Sequence, residues 1–414
     1  MDILDQLPRP GVRRLAVRVT PDAARRLRAG HPWLFDRSIT SVSGAGDHLP
    51  GDLAVVFDPK RSFVAVGLYD PASPIRVRIL HHGSPAAIDE AWWGARLDGA
   101  LARRSGLAGS GTTTAYRCIH GENDGFPGLV LDRYASTYVL KLYSTAWLPH
   151  LSMLVPLIGE RVGWERLVLR LGRGVQRDRG LPEGVADGVT IEGTPPSGLI
   201  PFLENGLAFE ADVVRGQKTG HFLDQRENRA LVRDLARGRT VLDLFACTGG
   251  FSVHAAAGGA TEVHSVDASS HAIQAAAHNV ALNQRLAAVR SCRHTTEVAD
   301  AFDALERLAS RRQRFDIVVI DPPSFAPKQS DVRAALRAYR RLTALGADVV
   351  QRGGVLVQAS CSSRVASDQF FAAVTGVLGE SGRSAAELAR TGHPADHPIG
   401  FPEGAYLKAI AVRL

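Results

Sequence analysis

Four polar residues stand where apolar runs end. Asp243 lies in TVLDLFA (240–246), Asp267 in EVHSVDA (262–268), Asp321 closes FDIVVIDP (315–322), and Cys361 follows GGVLVQAS (353–360). A structureless chain would scatter such residues. In open α/β sheets ligands bind outside the carboxyl ends of the strands, so four in one layer point to a site. Asp243 leads into the turn L-D-L-F-A-C-T-G-G-F-S (242–252), where Gly249 and Gly250 could let backbone approach a ligand just before a helix. The turn is not G-x-G-x-x-G, which excludes the nicotinamide-dinucleotide fingerprint. Asp267 follows Asp243 at an offset of 24 residues, which suits a carboxylate holding both hydroxyls of an adenosine ribose. Its bland alternative is the N-cap of the next helix. Asp300, in EVADAF (297–302), falls where an acid could accept from an adenine amino group, although the segment before it reads as irregular.

In D-P-P-S-F (321–325) two prolines fix a rigid, extended floor directly after a strand and leave carbonyls free for a flat polar substrate edge. The run Q-A-S-C-S-S (358–363) puts Cys361 at a strand end beside that floor. Buried cysteines are usually inert, and Cys118, Cys292 and Cys247 are read that way. A thiolate at Cys361 could serve as a nucleophile where nearby positive charge lowers its pKa.

The elements that carry these residues are legible as alternation. From about residue 213, four near-continuous apolar strands are each followed by a helix, which implies a parallel α/β sheet buried on both faces. Upstream the pattern is β-rich. AVRVT (16–20) reads as a strand and PDAARRLRAG (21–30) as a helix, with Thr20 as N-cap, Pro21 at its first position and Gly30 as terminator. Strands follow over 52–58, 62–70 and 75–83, making one small module. A helix over 87–107 leads to strands at 116–122, 128–134, 138–144 and 166–172, with a helix near 147–159. Residues 1–11 read as a loose lead-in. The Trp92–Trp93 pair reads as helix packing. Arg166, Arg170, Arg173, Arg177 and Arg179 form a basic run that is either a solvated face or a nucleic-acid contact.

Composition bounds the class. The 414 residues suit two or three domains, and 45% hydrophobic with 22% charged is ordinary for a globular protein. A net charge of +7 favours a polyanionic partner, while only five of the 49 basic residues are lysines, a choice that genome composition explains. Four cysteines without a C-x-x-C pair argue against zinc and for a reducing, cytoplasmic compartment. There is no secretory pattern and no apolar run of membrane-spanning length.

KTGHFLDQRENR (218–229), LDLFACTGGFS, DPPSF, SCS (360–362) and DHPIGFPEGAYLK (396–408) together resemble the bacterial PUA-domain-containing class I methyltransferases. Assigned members make 5-methylcytosine in large-subunit ribosomal RNA. The resemblance implies a PUA-like RNA-binding domain over 12–84, a central β-rich domain over 85–212, and a Rossmann-like S-adenosylmethionine-dependent methyltransferase domain over 213–414. It implies that Gln225 and Arg226 hold the amino-acid end of the cofactor, with Phe245 and the Gly turn bordering it. Cys361 matches the family's nucleophile, and Asp321 would act on the N3/N4 edge of cytosine. Another group of RNA cytosine methyltransferases has a second Cys at the fourth position of D-x-P-x. Here that residue is Ser324, implying a single-Cys mechanism. Ribosomal RNA is the implied partner, with no metal and no membrane. The modified nucleotide is not named by the sequence, and a homodimer is left open. The competing readings are a guanine N-methyltransferase, which shares the D-P-P motif and needs no thiol, and a non-catalytic RNA-binding assembly factor.

Overall fold

The computed structural model describes residues 3–11, 14–43 and 48–414. The expected start of the first module at residue 12 lies outside them. Two compact units are built from interleaved stretches of chain. One takes the residues up to 202 with 211–221 and 395–401, and the other takes 203–210, 222–394 and 402–414.

The first unit contains two sheets. Strands β1 (Leu15–Val19), β2 (Trp33–Phe35), β3 (Ile39–Ser43), β4 (Leu53–Phe57), β5 (Phe63–Tyr69) and β6 (Ile75–His82) form a sheet in the order β2-β6-β5-β4-β1-β3. β1 and β4 run parallel, and the other pairs are antiparallel. Helix α1 (Pro21–Arg28) starts at Thr20, whose hydroxyl accepts from Ala23 N at 3.3 Å as the N-cap reading requires. Leu27 of α1 packs with Val17, Val56 and Val77 of the sheet.

The second sheet of this unit has the order β11-β10-β9-β8-β7, from β7 (Ala115–His120), β8 (Leu129–Tyr134), β9 (Thr137–Leu142), β10 (Arg166–Leu171) and β11 (Val189–Gly193). It packs against α2 (Glu90–Ala102) and α3 (Leu151–Val162). Trp93 is buried against Phe126 and Trp147 and Trp92 is half-buried against the same core, so the pair serves helix packing as expected. Residues 3–11 are less loose than the composition implies. Ile3–Gln6 make a helical turn, and Leu4 and Leu7 bury into this core. The stretch 395–401 is bound here too. Asp396 is fully buried, its carboxylate accepts from Arg117 N at 3.0 Å, and its carbonyl accepts from Arg104 at 2.8 Å. Arg104 in turn holds Asp124 through two hydrogen bonds of 3.0 and 2.7 Å.

The chain also forms a two-stranded hairpin, β12 (Ile200–Glu204) and β13 (Leu207–Ala211). The second unit is a seven-stranded sheet flanked by helices. Its strands are β14 (Thr240–Leu244), β15 (Glu262–Asp267), β16 (Arg293–Val298), β17 (Phe315–Ile320), β18 (Val350–Ser360), β19 (Ala386–Thr391) and β20 (Lys408–Arg413). Their order is β16-β15-β14-β17-β18-β20-β19. The first five run parallel, and β20 is antiparallel to both its neighbours. Helices α4 (Arg226–Leu235), α5 (Gly250–Ala257), α6 (Ser270–Ala281), α7 (Ala301–Ser310), α8 (Val332–Val349) and α9 (Ser367–Glu380) alternate with them. Four strands match the apolar runs, because helices on both faces demand side chains that shed water on both faces. β16 corrects the reading of an irregular segment before Asp300. As an edge strand with one half-exposed face it carries Arg, His, Thr and Glu, so no apolar run marks it. β19, the other edge, is likewise polar.

The register sets the site. Leu244 pairs with Ile320, and Ile320 with Gln358, so the residues after β14, β17 and β18 emerge together along one carboxyl edge.

Candidate active site

The turn after β14 is bent by three left-handed residues, Phe245 (φ 60°), Cys247 (φ 48°) and Gly249 (φ 77°). The first two are unfavourable for side-chain-bearing residues, and such strain persists only where the surroundings enforce it. Here Ala246 N donates to Val266 O at 3.1 Å and Cys247 N to the Asp267 carboxylate at 2.9 Å. The glycines serve packing. A Cβ on Gly249 would lie 2.8 Å from Ala276 of α6, and one on Gly250 would lie 2.7 Å from the Arg229 side chain. Their smallness is required by this packing of protein against protein.

Arg229 is itself fixed. It donates twice to buried Glu204 at 2.6 Å each and once to Phe222 O at 2.9 Å, while His254 of α5 bonds Glu204 at 3.0 Å. Burial alone would raise the Glu204 carboxyl, but the Arg229 charge and the His254 and Arg229 bonds outweigh it and hold the group well below the usual range.

Asp243 is fully buried. Its Oδ2 accepts from Ser252 at 2.6 Å, and Ser252, Ser265 and His294 continue the chain at 2.6 and 2.8 Å. Its Oδ1 has no partner among the described residues. Burial pushes this carboxyl up to about 7 against the Ser252 bonds, with repulsion from Asp321 and Asp267 adding to the rise.

Asp267, half-buried at the end of β15, holds Cys247 N with one oxygen and Ser269 N with the other, each at 2.9 Å. Each oxygen keeps a further lone pair for a ligand hydroxyl. Asp300 is exposed and caps α7, accepting from Phe302 N at 2.8 Å and Asp303 N at 3.3 Å through Oδ1, so Oδ2 alone remains for an adenine amino group. Gln225 is buried between Asp321 and Asn228. Its Nε2 donates to Asp321 at 2.8 Å and its Oε1 accepts from Asn228 at 2.5 Å. Arg226, beside it, is 1% exposed.

Asp321 and Cys361 come together. The Cys361 thiol donates to the Pro322 carbonyl at 3.8 Å, which sets the sulfur against the D-P-P floor next to Asp321. Ser360, one residue before, is tied to Tyr339 of α8 at 2.8 Å. The other cysteines are poor nucleophiles. Burial pushes Cys247 and Cys292 up to about 11 and Cys118 higher still, so all three are thiols at neutral pH. Asn228 and Tyr406 are functional supports that the residue-level reading missed. Asn228 bonds Gln225, and Tyr406 donates to Asp224 at 2.8 Å. Both lie inside the quoted motifs; Asn228 is three residues from Gln225 on the same turn, whereas Tyr406 and Asp224 are too distant in sequence to pair by inspection.

Three carboxyl groups, Asp243, Asp267 and Asp321, thus share one sheet edge, and the charges of the latter two repel charge on Asp243. They form no metal cluster, since no group of three or more His, Cys, Asp or Glu among the described residues could hold an ion. They fit an organic cation. S-adenosylmethionine carries a sulfonium and an ammonium together with a ribose, and suits this donor set. No described helix is long and apolar enough to cross a membrane.

A Rossmann-like sheet with this acidic edge defines the second unit as a class I methyltransferase scaffold. Comparisons agree. Residues 178–413 match the family described as S-adenosylmethionine-dependent methyltransferase, and residues 17–82 match the PUA-like domain. The chain is 45% identical over 411 residues to a protein of Deinococcus radiodurans named ribosomal RNA large subunit methyltransferase, covering 98% of this chain and 99% of that one. It is 32% identical to the ribosomal RNA large subunit methyltransferase I of Shewanella amazonensis, covering 97% and 99%. Among solved structures, the methyltransferase SMU.776 complexed with SAH shares the fold at a TM-score of 0.81 and 22% identity, covering 96% of this chain and all of that one. The chain belongs to the S-adenosylmethionine-dependent methyltransferase family, in the group with a PUA-like domain, and its cofactor is S-adenosylmethionine.

Proposed function

We propose that this enzyme makes 5-methylcytosine in large-subunit ribosomal RNA, with Cys361 as nucleophile. The observation that carries the reading is the placement of Cys361 on the Pro322 carbonyl, beside Asp321, while desolvation pushes the other three cysteines up and keeps them thiols. The names of the relatives support the RNA substrate. Cytosine C5 is a poor nucleophile. Addition of the Cys361 sulfur to C6 makes C5 enamine-like, and Asp321 steadies the N3/N4 edge as charge develops there. Bound S-adenosylmethionine supplies the electrophilic methyl group. Loss of the C5 proton and expulsion of the Cys361 sulfur restore the aromatic ring. Gln225 keeps Asp321 in place, and Asp267, Gln225, Arg226, Asp300 and the turn around Phe245 form the cofactor's seat. The PUA-like domain and the exposed Arg173, Arg177 and Arg179 supply RNA affinity.

The test is covalent trapping. Ribosomal RNA carrying 5-fluorocytidine has no removable proton at C5, so wild type with cofactor should give an adduct that survives denaturing electrophoresis. Cys361→Ala should lose adduct and turnover, while the Cys118, Cys247 and Cys292 alanine variants keep both. Near-normal methylation by Cys361→Ala would end the thiol mechanism and favour guanine N-methylation. Wild type that never methylates RNA would favour an assembly factor.

A further inference from the structure

Lys408 is 1% exposed. It opens β20 directly opposite Ser360, the residue before Cys361. Its ammonium donates to the carbonyls of Ser362 and Val365, the latter at 2.6 Å, so it grips the loop that carries the cysteine from beneath. An ammonium has three hydrogens, and these two bonds leave one unused. No carboxylate forms a salt bridge with it among the described residues. A buried charge without a counter-ion is costly, and removing such a charge's partner elsewhere costs several kcal/mol. Burial accordingly lowers the Lys408 pKa to about 8, and Cys361 is the group whose charge pulls it back up.

We propose that Lys408 is a positioning residue that holds the Cys361 sulfur as a thiolate, the two forming an ammonium–thiolate pair, buried at the lysine and half-buried at the sulfur, which replaces the thiol's contact with the Pro322 carbonyl. This rests on the reading of Cys361 as the nucleophile. The balance is a proton exchange: a thiol and a neutral amine become a thiolate and an ammonium, with nothing gained or lost. Ionisable groups around the sulfur come from three elements. Lys408 comes from β20 and is a cation whose charge couples to Cys361. Tyr339 comes from α8, where burial keeps its hydroxyl neutral by pushing it up to about 12. Asp321 comes from the loop after β17 and opposes the thiolate, but the Gln225 amide bonds one of its oxygens at 2.8 Å. The ammonium remains charged while the sulfur adds to the base and is later expelled, so it favours the leaving group as well as the attacking one.

The test measures Cys361 itself. Full-length protein is treated with iodoacetamide between pH 5 and 10, and alkylation of the Cys361 peptide is followed by mass spectrometry. Wild type should react with a midpoint below the ordinary thiol value of about 8.5. Lys408→Gln keeps donors for the two carbonyls but removes the charge. Its midpoint should rise by at least about one unit, which slows alkylation at pH 7 about tenfold. Lys408→Arg should keep the low midpoint. A merely structural lysine would leave the midpoint of Lys408→Gln unchanged while S-adenosylmethionine still binds, and that result overturns the proposal. If Lys408→Gln fails to fold, wild type alone decides, because a midpoint at or above the ordinary thiol value overturns the proposal too. Failure of the functional reading is separate. A methylating Cys361→Ala enzyme refutes the nucleophile, whatever the alkylation midpoint.

Discussion

Replacing Asp243 by Asn should make the cofactor-free protein less sensitive to rising pH. In the folded protein burial raises this carboxyl from its ordinary 3.8 to about 7. The folded state therefore holds a proton that the unfolded chain releases between those values. Stability from this group is complete below about 4 and declines as pH rises to 7, after which it stays flat. About three pKa units correspond to about 4 kcal/mol. Side-chain exposure is nil, so solvent screening does not reduce the figure. The assay is urea unfolding of wild type and Asp243→Asn at half-unit steps from pH 4.5 to 8.5. Subtracting one curve from the other cancels the groups common to both. The difference should move in favour of the variant by a few kcal/mol across the window, most steeply between pH 5 and 7. S-adenosylmethionine should bind wild type more tightly as pH rises through 7, because ionised Asp243 meets its positive charges, and this slope should vanish in the variant. A pH-independent stability difference would refute the buried, unpaired carboxyl as the source of the shift.

Asp267→Ala should weaken S-adenosylmethionine binding by about 1.5–3 kcal/mol through the lost ribose bond, and release of Cys247 N from the turn should add to the loss. Calorimetry giving unchanged affinity would contradict the ribose assignment. Glu204→Ala should destabilise the fold by about 3–5 kcal/mol, since it strands the Arg229 guanidinium and the His254 ring without their buried carboxylate. Chemical denaturation showing a loss below about 1 kcal/mol would mean that water or a new partner takes its place.

The sequence disclosed the parts whose causes are local. β14, β15, β17 and β18 are apolar because helices cover both faces, so their ends, and with them Asp243, Asp267, Asp321 and Cys361, could be placed in one layer. Thr20 was readable as a cap because its partner, Ala23 N, is three residues away. What stayed hidden depends on distant chain. Arg170 reads as part of a basic surface run, yet it is buried on Asp187 and the carbonyls of Val213 and Gly216. Gly249 and Gly250 read as room for a ligand, and the packing of Ala276 and Arg229 that also requires them small could not be read from the sequence. Gln225 was reached through the family resemblance alone, since nothing in its surroundings announces Asp321 as its partner. Lys408 sits in a quoted motif, but its burial becomes visible only when β20 is paired with β18.

The interleaving of the chain has a consequence for biosynthesis. Arg104 and Arg117 come early in the polypeptide, yet the groups that satisfy them include Asp396, 292 and 279 residues further on. While the ribosome is still translating, the early unit stands with Arg117 N and part of the Arg104 guanidinium short of their native acceptors. A nascent chain stalled before residue 396 should therefore be open to proteases in its N-terminal part. Emergence of residues 395–413 then supplies the early unit's acceptors and, as β20, the partner of β18 in the late sheet.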